Sequence, residues 1–271
     1  MSAQHAVFVS NQRLRILNKE LQRGMPKSST DNKRHFIIAG VLVVVTTVVM
    51  GIVLNAVLPL PEPAAVQAST VDWLFRVHMW LIAILFSLVF VLMLYAVFVF
   101  RRGKQTDDGA HFEGNTALEI GWTVIPLVLV VIFSFIGIQT LNTVTAAPPD
   151  ALVIKVTGQQ WAWAFEYPDG TQSAELVVPV NQNLRMEMTS PDVIHSFWVP
   201  EWRIKQDVVP GLTTHVDYTT DREGVFSLQC NQACGLSHTV MYAPVRVVSQ
   251  QEYTAWLHQQ MVDQGAQTAS R

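Results

Sequence analysis

Two cysteines are the whole thiol content of the 271-residue chain, and both fall in one stretch, Cys230-Asn-Gln-Ala-Cys234-Gly-Leu-Ser-His238-Thr-Val-Met241. Two thiols, an imidazole and a thioether thus lie within twelve residues. Soft sulfur donors select copper, zinc or iron–sulfur chemistry, and imidazole suits copper and zinc. A second imidazole, His195 in Asp192-Val-Ile-His195-Ser-Phe-Trp198, stands upstream. Two bridging thiolates can hold two copper ions together, each ion taking one histidine, with Met241 and a backbone carbonyl as weak axial donors. Two other readings stay open at this level. The cysteines can form a disulfide, which needs no neighbouring His or Met and is often strained in so short a loop. Two Cys and two His also fill a tetrahedral zinc site, although zinc gives Met241 no role.

Strands must position such donors, and the pattern after residue 151 supplies them. Short runs of period two at 152–156, 175–180, 184–188, 215–218, 224–228 and 244–248 are separated by turn residues such as Pro168-Asp169-Gly170. Several short strands at this spacing predict a β-sandwich or barrel. Trp161, Trp163, Phe165 and Tyr167 alternate along one more such run and are expected on one strand face. The last 20 or so residues are polar, with one or two helical turns expected around Trp256.

The first half of the chain has another character. Half of all residues are hydrophobic and 14% are charged, and nearly all the long apolar runs precede residue 142. Segments 36–58, 80–100 and 120–141 contain no charged residue, and each is long enough to cross a bilayer, which takes about 20 helical residues. Residues 1–35 carry seven Lys or Arg against two acids, and the 101–119 connection holds Arg101, Arg102 and Lys104. The 59–75 connection carries two acids, Glu62 and Asp72, and no Lys or Arg. The positive-inside rule therefore predicts a cytoplasmic N-terminus, and three spans then carry everything after residue 141 to the outer side. Ala65-Val-Gln-Ala68 has the look of a signal-cleavage site, but a 35-residue leader and an apolar run of 23 residues are long for a signal peptide and favour a retained span. The chain thus divides into a cytoplasmic segment 1–35, a transmembrane region 36–147, an exported domain 148–250 and a polar tail 251–271. A net charge of -3 without a basic patch gives no reason to expect nucleic acid.

The metal-binding stretch resembles the dinuclear copper (CuA) loop of cytochrome c oxidase subunit II. The likeness continues in Gly158-Gln-Gln-Trp161-Ala-Trp163-Ala-Phe-Glu166-Tyr167, in Val199-Pro-Glu-Trp-Arg-Ile-Lys205-Gln-Asp207-Val-Val-Pro210-Gly211, and in Glu119-Ile-Gly-Trp122-Thr-Val-Ile-Pro126. The resemblance covers about residues 80 to 250. It implies transmembrane helices followed by an all-β, cupredoxin-like Greek-key barrel, with His195, Cys230, Gln232 (through its backbone carbonyl), Cys234, His238 and Met241 around two copper ions. It also implies Trp161 as the point where electrons come in, Glu119 at the mouth of a proton channel, and partners in subunit I, which holds the haems and CuB, in other oxidase subunits, and in cytochrome c or a similar donor.

This sequence departs from the family in three places. Gln232 stands where most members have a Glu whose carboxylate binds an interface magnesium, which puts that ion in doubt. Gln159 and Ala162 replace a common His and Tyr. The family typically has two spans, matching the second and third here, so the first is additional. The three spans hold no histidine, and the chain has no Cys-x-x-Cys-His, so the oxygen-reducing centre belongs to another subunit and no c-type haem is fused. Residues 150–250 carry 11 acids and 6 bases, a net of -5, which would steer a basic donor. Glu166 and Asp192 are the acids expected to matter most. Electron delivery to a nitric oxide reductase of the same superfamily, or copper carriage without a redox circuit, are the competing functions. Thr116-Ala-Leu-Glu119 also fits a capping box, a purely structural reading of Glu119.

Overall fold

A computed structural model describes residues 29–101 and 114–269. The basic residues before Ser29, and Arg102 and Lys104, lie outside the described residues.

Three helices come first: α1 (Ser29–Val57), α2 (Val66–Val99) and α3 (Thr116–Val144). Each is long and apolar enough to cross a membrane. Their apolar side chains are exposed on every side, as at Val44, Leu92 and Ile138, a pattern that fits lipid and not water. Each helix outruns its predicted apolar core, and α2 most of all: it starts at Val66, not at residue 80, and has 34 residues. At 1.5 Å per residue it is about 51 Å long, well beyond a hydrocarbon core of about 30 Å. Its first turns, with Asp72, Arg76 and His78, extend the apolar part.

Two five-stranded sheets follow. The first has the order β3-β2-β1-β5-β8 and the second β4-β10-β9-β6-β7. In chain order the strands are β1 (Leu152–Gln159), β2 (Ala162–Glu166), β3 (Gln172–Ser173), β4 (Leu176–Pro179), β5 (Asn183–Thr189), β6 (His195–Trp198), β7 (Lys205–Val208), β8 (Thr214–Thr219), β9 (Gly224–Cys230) and β10 (Tyr242–Val248). The chain changes sheet after β3, β4, β5, β7 and β8, the interleaved path of a Greek-key sandwich. β1 pairs with β5, and β10 with β4, in parallel; the other pairs are antiparallel. Period-two burial builds the core: Ile154, Val156, Leu184, Met186 and Met188 from one sheet meet Phe197, Leu228 and Val245 from the other. The Tyr167 hydroxyl donates to the Val177 carbonyl at 3.0 Å and accepts from the Val177 amide at 2.8 Å, pinning β2 to β4. Burial pushes its phenol well above the ordinary range.

The tail is a 20-residue helix, α4 (Gln250–Ala269), and not one or two turns. Tyr253, Trp256 and Leu257 on one face pack against the core, and the Trp256 ring lies 5.1 Å from that of Tyr167.

Residues 58–78 belong with the sheets. Ala65 bridges Thr220, the Ala64 amide donates to the Glu201 carbonyl at 3.0 Å, and Gln67 accepts from the Thr219 amide at 3.1 Å. Arg203, in the left-handed region at φ 66°, donates to both Asp72 oxygens at 2.6 and 3.1 Å and to the Pro200 and Pro61 carbonyls. Both members of the ion pair are buried. Removing one partner of a buried pair costs about 3–5 kcal/mol, because the other charge is left desolvated. Arg203→Met should therefore lower the unfolding free energy of the detergent-solubilised chain by about that much, followed by β-sheet circular dichroism, and adding Asp72→Asn should recover part of the loss.

Candidate metal centre

β9 ends at Cys230 and β10 begins at Tyr242, and the loop between them is closed at its neck by the Cys230 amide donating to the Met241 carbonyl at 3.1 Å. A turn at Gly235 (φ 124°) and a short 3-10 helix, His238–Val240, fold the loop back on itself. His195 opens β6, and Phe197 two residues later pairs with Cys230, so strand register brings His195 to the loop.

The donors converge in two sets. Cys230 Sγ lies 3.8 Å from His195 Nδ1, 3.3 Å from the Gln232 carbonyl oxygen and 3.8 Å from Cys234 Sγ. Cys234 Sγ lies 3.6 Å from His238 Nδ1 and 3.8 Å from Met241 Sδ. Donors that share one ion tetrahedrally at about 2.3 Å are about 3.7 Å apart, so both sets have metal-ligand spacing. A sulfur–sulfur distance of 3.8 Å is far beyond the bonded value of about 2.05 Å, which removes the disulfide reading. His195, Cys230 and Cys234 have donor atoms within 4.8 Å of one another, while His238 is set close to Cys234. His195, Cys230, Cys234 and Met241 are buried and His238 is half-buried. Two thiols, two imidazoles and a thioether in a dry pocket fit copper.

The surroundings prepare these donors. Asp192 Oδ1 lies 2.9 Å from His195 Nε2; a proton held there leaves the Nδ1 lone pair facing Cys230, the usual way a carboxylate orients a ligating histidine. Burial alone would raise the Asp192 pKa, but hydrogen bonds from the Gln160 amide, His195, the Val193 amide and Ser190 outweigh it and hold the carboxyl well below its usual range. Gln160 also donates through its side chain to the Cys234 carbonyl at 2.7 Å. One residue thus ties the His195 side of the site to the Cys234 side.

The six expected donors come together, and Trp161 lies beside them. A Cβ at Gly235 would sit 3.4 Å from two atoms of the Trp161 indole, so the glycine admits the ring next to Cys234. Trp161 does not share the buried environment of the aromatic run. β2 starts one residue later, and Trp161 is 39% exposed while Trp163, Phe165 and Tyr167 are buried. Glu119 is elsewhere, in the first turn of α3. Its capping-box reading is corrected: Asn115 is the N-cap and accepts from the Leu118 amide at 3.2 Å. Glu166 is paired with Lys155 at 2.7 Å. The orienting role of Asp192 and the bridging role of Gln160 had not been read from the sequence; only the position of Asp192 three residues before His195 hinted at the first.

Burial, and then the neighbouring Cys230, push the Cys234 thiol up to about 11. Without metal it is protonated at neutral pH, and binding must release its proton. Affinity of the metal-free chain for copper should therefore rise with pH below that value, about tenfold per pH unit for each proton displaced, as competition with a chelator of known pH dependence would measure.

Profiles described as the periplasmic and transmembrane domains of cytochrome c oxidase subunit II match residues 171–249 and 54–140. Helix α1 lies almost wholly before the transmembrane match. The chain is 34% identical over 239 residues to cytochrome c oxidase subunit 2 of Cereibacter sphaeroides, covering 73% of this chain and 78% of that one. It is 36% identical over 209 residues to cytochrome c oxidase subunit 2 of Alkalihalophilus pseudofirmus, covering 72% of this chain and 60% of that one. The crystal structure of the periplasmic domain of subunit II of cytochrome oxidase (CoxB) of Bradyrhizobium japonicum is 32% identical and covers 43% of this chain and 98% of that one, with a TM-score of 0.42. Subunit II is a component of an oxidoreductase complex, and this chain belongs to the cytochrome c oxidase subunit II family.

Proposed function

We propose that this chain takes electrons from cytochrome c or a similar soluble donor through a dinuclear copper centre and passes them to the haem-copper centre of subunit I for oxygen reduction. The observation that carries this reading is the pair of donor sets sharing Cys230 and Cys234. The tight cluster of His195 with the two cysteines, outside which His238 falls, favours two ions over a single zinc. When bound, the copper pair supplies a one-electron store.

The protein's part is orientation. Asp192 fixes the tautomer of His195, Gln160 fixes the loop at Cys234, and Met241 closes the buried side. Gln232 contributes its carbonyl; its neutral amide is a poorer magnesium donor than the usual carboxylate, which argues against an interface magnesium. Leu236 and Val240 on the loop are 94% and 68% exposed, and with Trp161 they offer an apolar contact to a donor. The net of -5 over residues 150–250 raises the encounter rate with a basic partner. The arrangement is multi-pass, with a cytoplasmic N-terminus and the sheets on the outer side.

In the intact complex, metal analysis should give two coppers per chain with a mixed-valence electron paramagnetic resonance spectrum; one copper, or preferred zinc, rules this reading out. Trp161→Phe should keep copper content and spectrum while electron transfer from the donor slows severely and donor affinity barely changes. Loss of the spectrum as well would make Trp161 structural.

Glu119 is proposed at the mouth of a proton route, since Asn115 already serves the helix cap and the carboxylate is exposed at the cytoplasmic end of a span. Glu119→Gln should leave stability within about 0.5 kcal/mol and yet lower proton uptake and turnover, measured in reconstituted vesicles.

A further inference from the structure

Helix α1 and the part of α2 from Met79 onward form a compact unit of their own. They run antiparallel. At one end Gly51 receives the Trp80 indole so closely that a Cβ there would lie 2.4 Å from a ring carbon. At the other end the His35 ring lies 5.9 Å from Tyr95 and 5.4 Å from Phe100, and His35 Nδ1 is 2.7 Å from the Tyr95 hydroxyl. Beside this second contact the two helices border a half-open cavity of about 440 Å³, lined among others by His35, Ala39, Leu92, Tyr95, Ala96 and Phe100. That volume is in the range of small-ligand sites. Its walls are apolar apart from the corner where His35 meets Tyr95.

The chain around that corner is basic. Lys33 and Arg34 immediately precede His35, Arg101 immediately follows Phe100, and all three are exposed. The contact between His35 and Phe100 sets these cations at the same end of the helix pair. Within residues 29–35 the sequence has one acid, Asp31. An apolar slot with a hydrogen-bonding corner and a basic rim is complementary to an amphiphile with an anionic head. A helix about 10 Å wide would fill the volume with a single turn, whereas a flexible acyl chain can thread it. Basic pockets between membrane helices are suited to phospholipid phosphates.

We infer that this cavity binds an anionic phospholipid, its phosphate at His35, Tyr95 and the cationic rim and an acyl chain against Ala39, Leu92 and Ala96. The site depends on α1, all but the last turn or so of which precedes the family's transmembrane match.

The test is a lipid titration of the intact, delipidated complex by native mass spectrometry, with phosphatidylglycerol and phosphatidylcholine as probes. Wild type should bind phosphatidylglycerol more tightly at one site. Arg34→Gln and Arg101→Gln should each weaken that site about fivefold, the effect of one interfacial cation. Ala96→Phe, which fills the slot and leaves the rim charges, should abolish it. Co-purification of the partner subunits reports that each variant is folded and assembled, and if Ala96→Phe fails to assemble, the two charge variants still decide. Equal binding of both lipids at every site, or unchanged binding in the charge variants, overturns the proposal. So does a photocrosslinker at Leu92 that captures another subunit's helix instead of lipid.

Discussion

Two cysteine sulfurs held 3.8 Å apart, buried and not bonded to each other, are the constraint from which the β domain follows. Thiols at that distance in a dry site are poor neighbours once ionised, because their charges repel and neither is solvated. Their spacing is kept by backbone. Cys230 is the last residue of β9, Cys234 is fixed through its carbonyl by Gln160, and the loop neck is closed by Cys230 and Met241. Each tether comes from a different part of the sandwich, so the metal site is only as well formed as the packing of both sheets. A bound cation would in turn neutralise the two sulfurs and stabilise the folded loop.

The sequence exposed the longer alternating strands and concealed β6 and β7. β1 and β5 alternate buried and open positions, and their periodicity is plain. β6 reads buried, buried, buried and half-buried, so it has no period to find, and β7 is a polar edge strand whose hydrogen bonding to β6 only the fold supplies. The extension of α2 before residue 80 was hidden for a related reason. Hydropathy sees only the lipid-facing part, while residues 66–79 are helical in a setting fixed by Asp72 with Arg203 and by Gln67 with Thr219. In α4 three apolar residues, Tyr253, Trp256 and Leu257, hold a helix whose other residues are mostly polar. Such docking is a tertiary effect that weak intrinsic propensity does not announce.

The donor set was legible because ligand chemistry depends on residue type. The side chains that orient it were not, because their roles depend on distant contacts: Gln160 reaches Asp192 across 32 positions and Cys234 across 74. Trp161 shows the limit from the other direction. Alternation grouped it with Trp163, Phe165 and Tyr167, but the strand begins at Ala162 and the indole stays in the turn against Gly235. Its exposure is a consequence of where the hydrogen-bonded ladder starts.

That geometry also divides the work that acidic residues near the site could do. Asp192 is held ionised by four hydrogen-bond donors, one of them His195, so neutralising it would disturb the orientation of a metal ligand and the surface field together. Slower electron transfer in such a variant would therefore say little about donor docking. Glu166 is already matched by Lys155, Glu175 by Arg246 and Asp217 by Arg185, and matched pairs project little field beyond their own surroundings. These three acids are thus committed to structure. The loop itself offers apolar surface in Leu236 and Val240, beside the open side of Trp161. For the donor proposed above, long-range steering would fall to the domain's overall negative charge, and the apolar loop surface would serve the final contact.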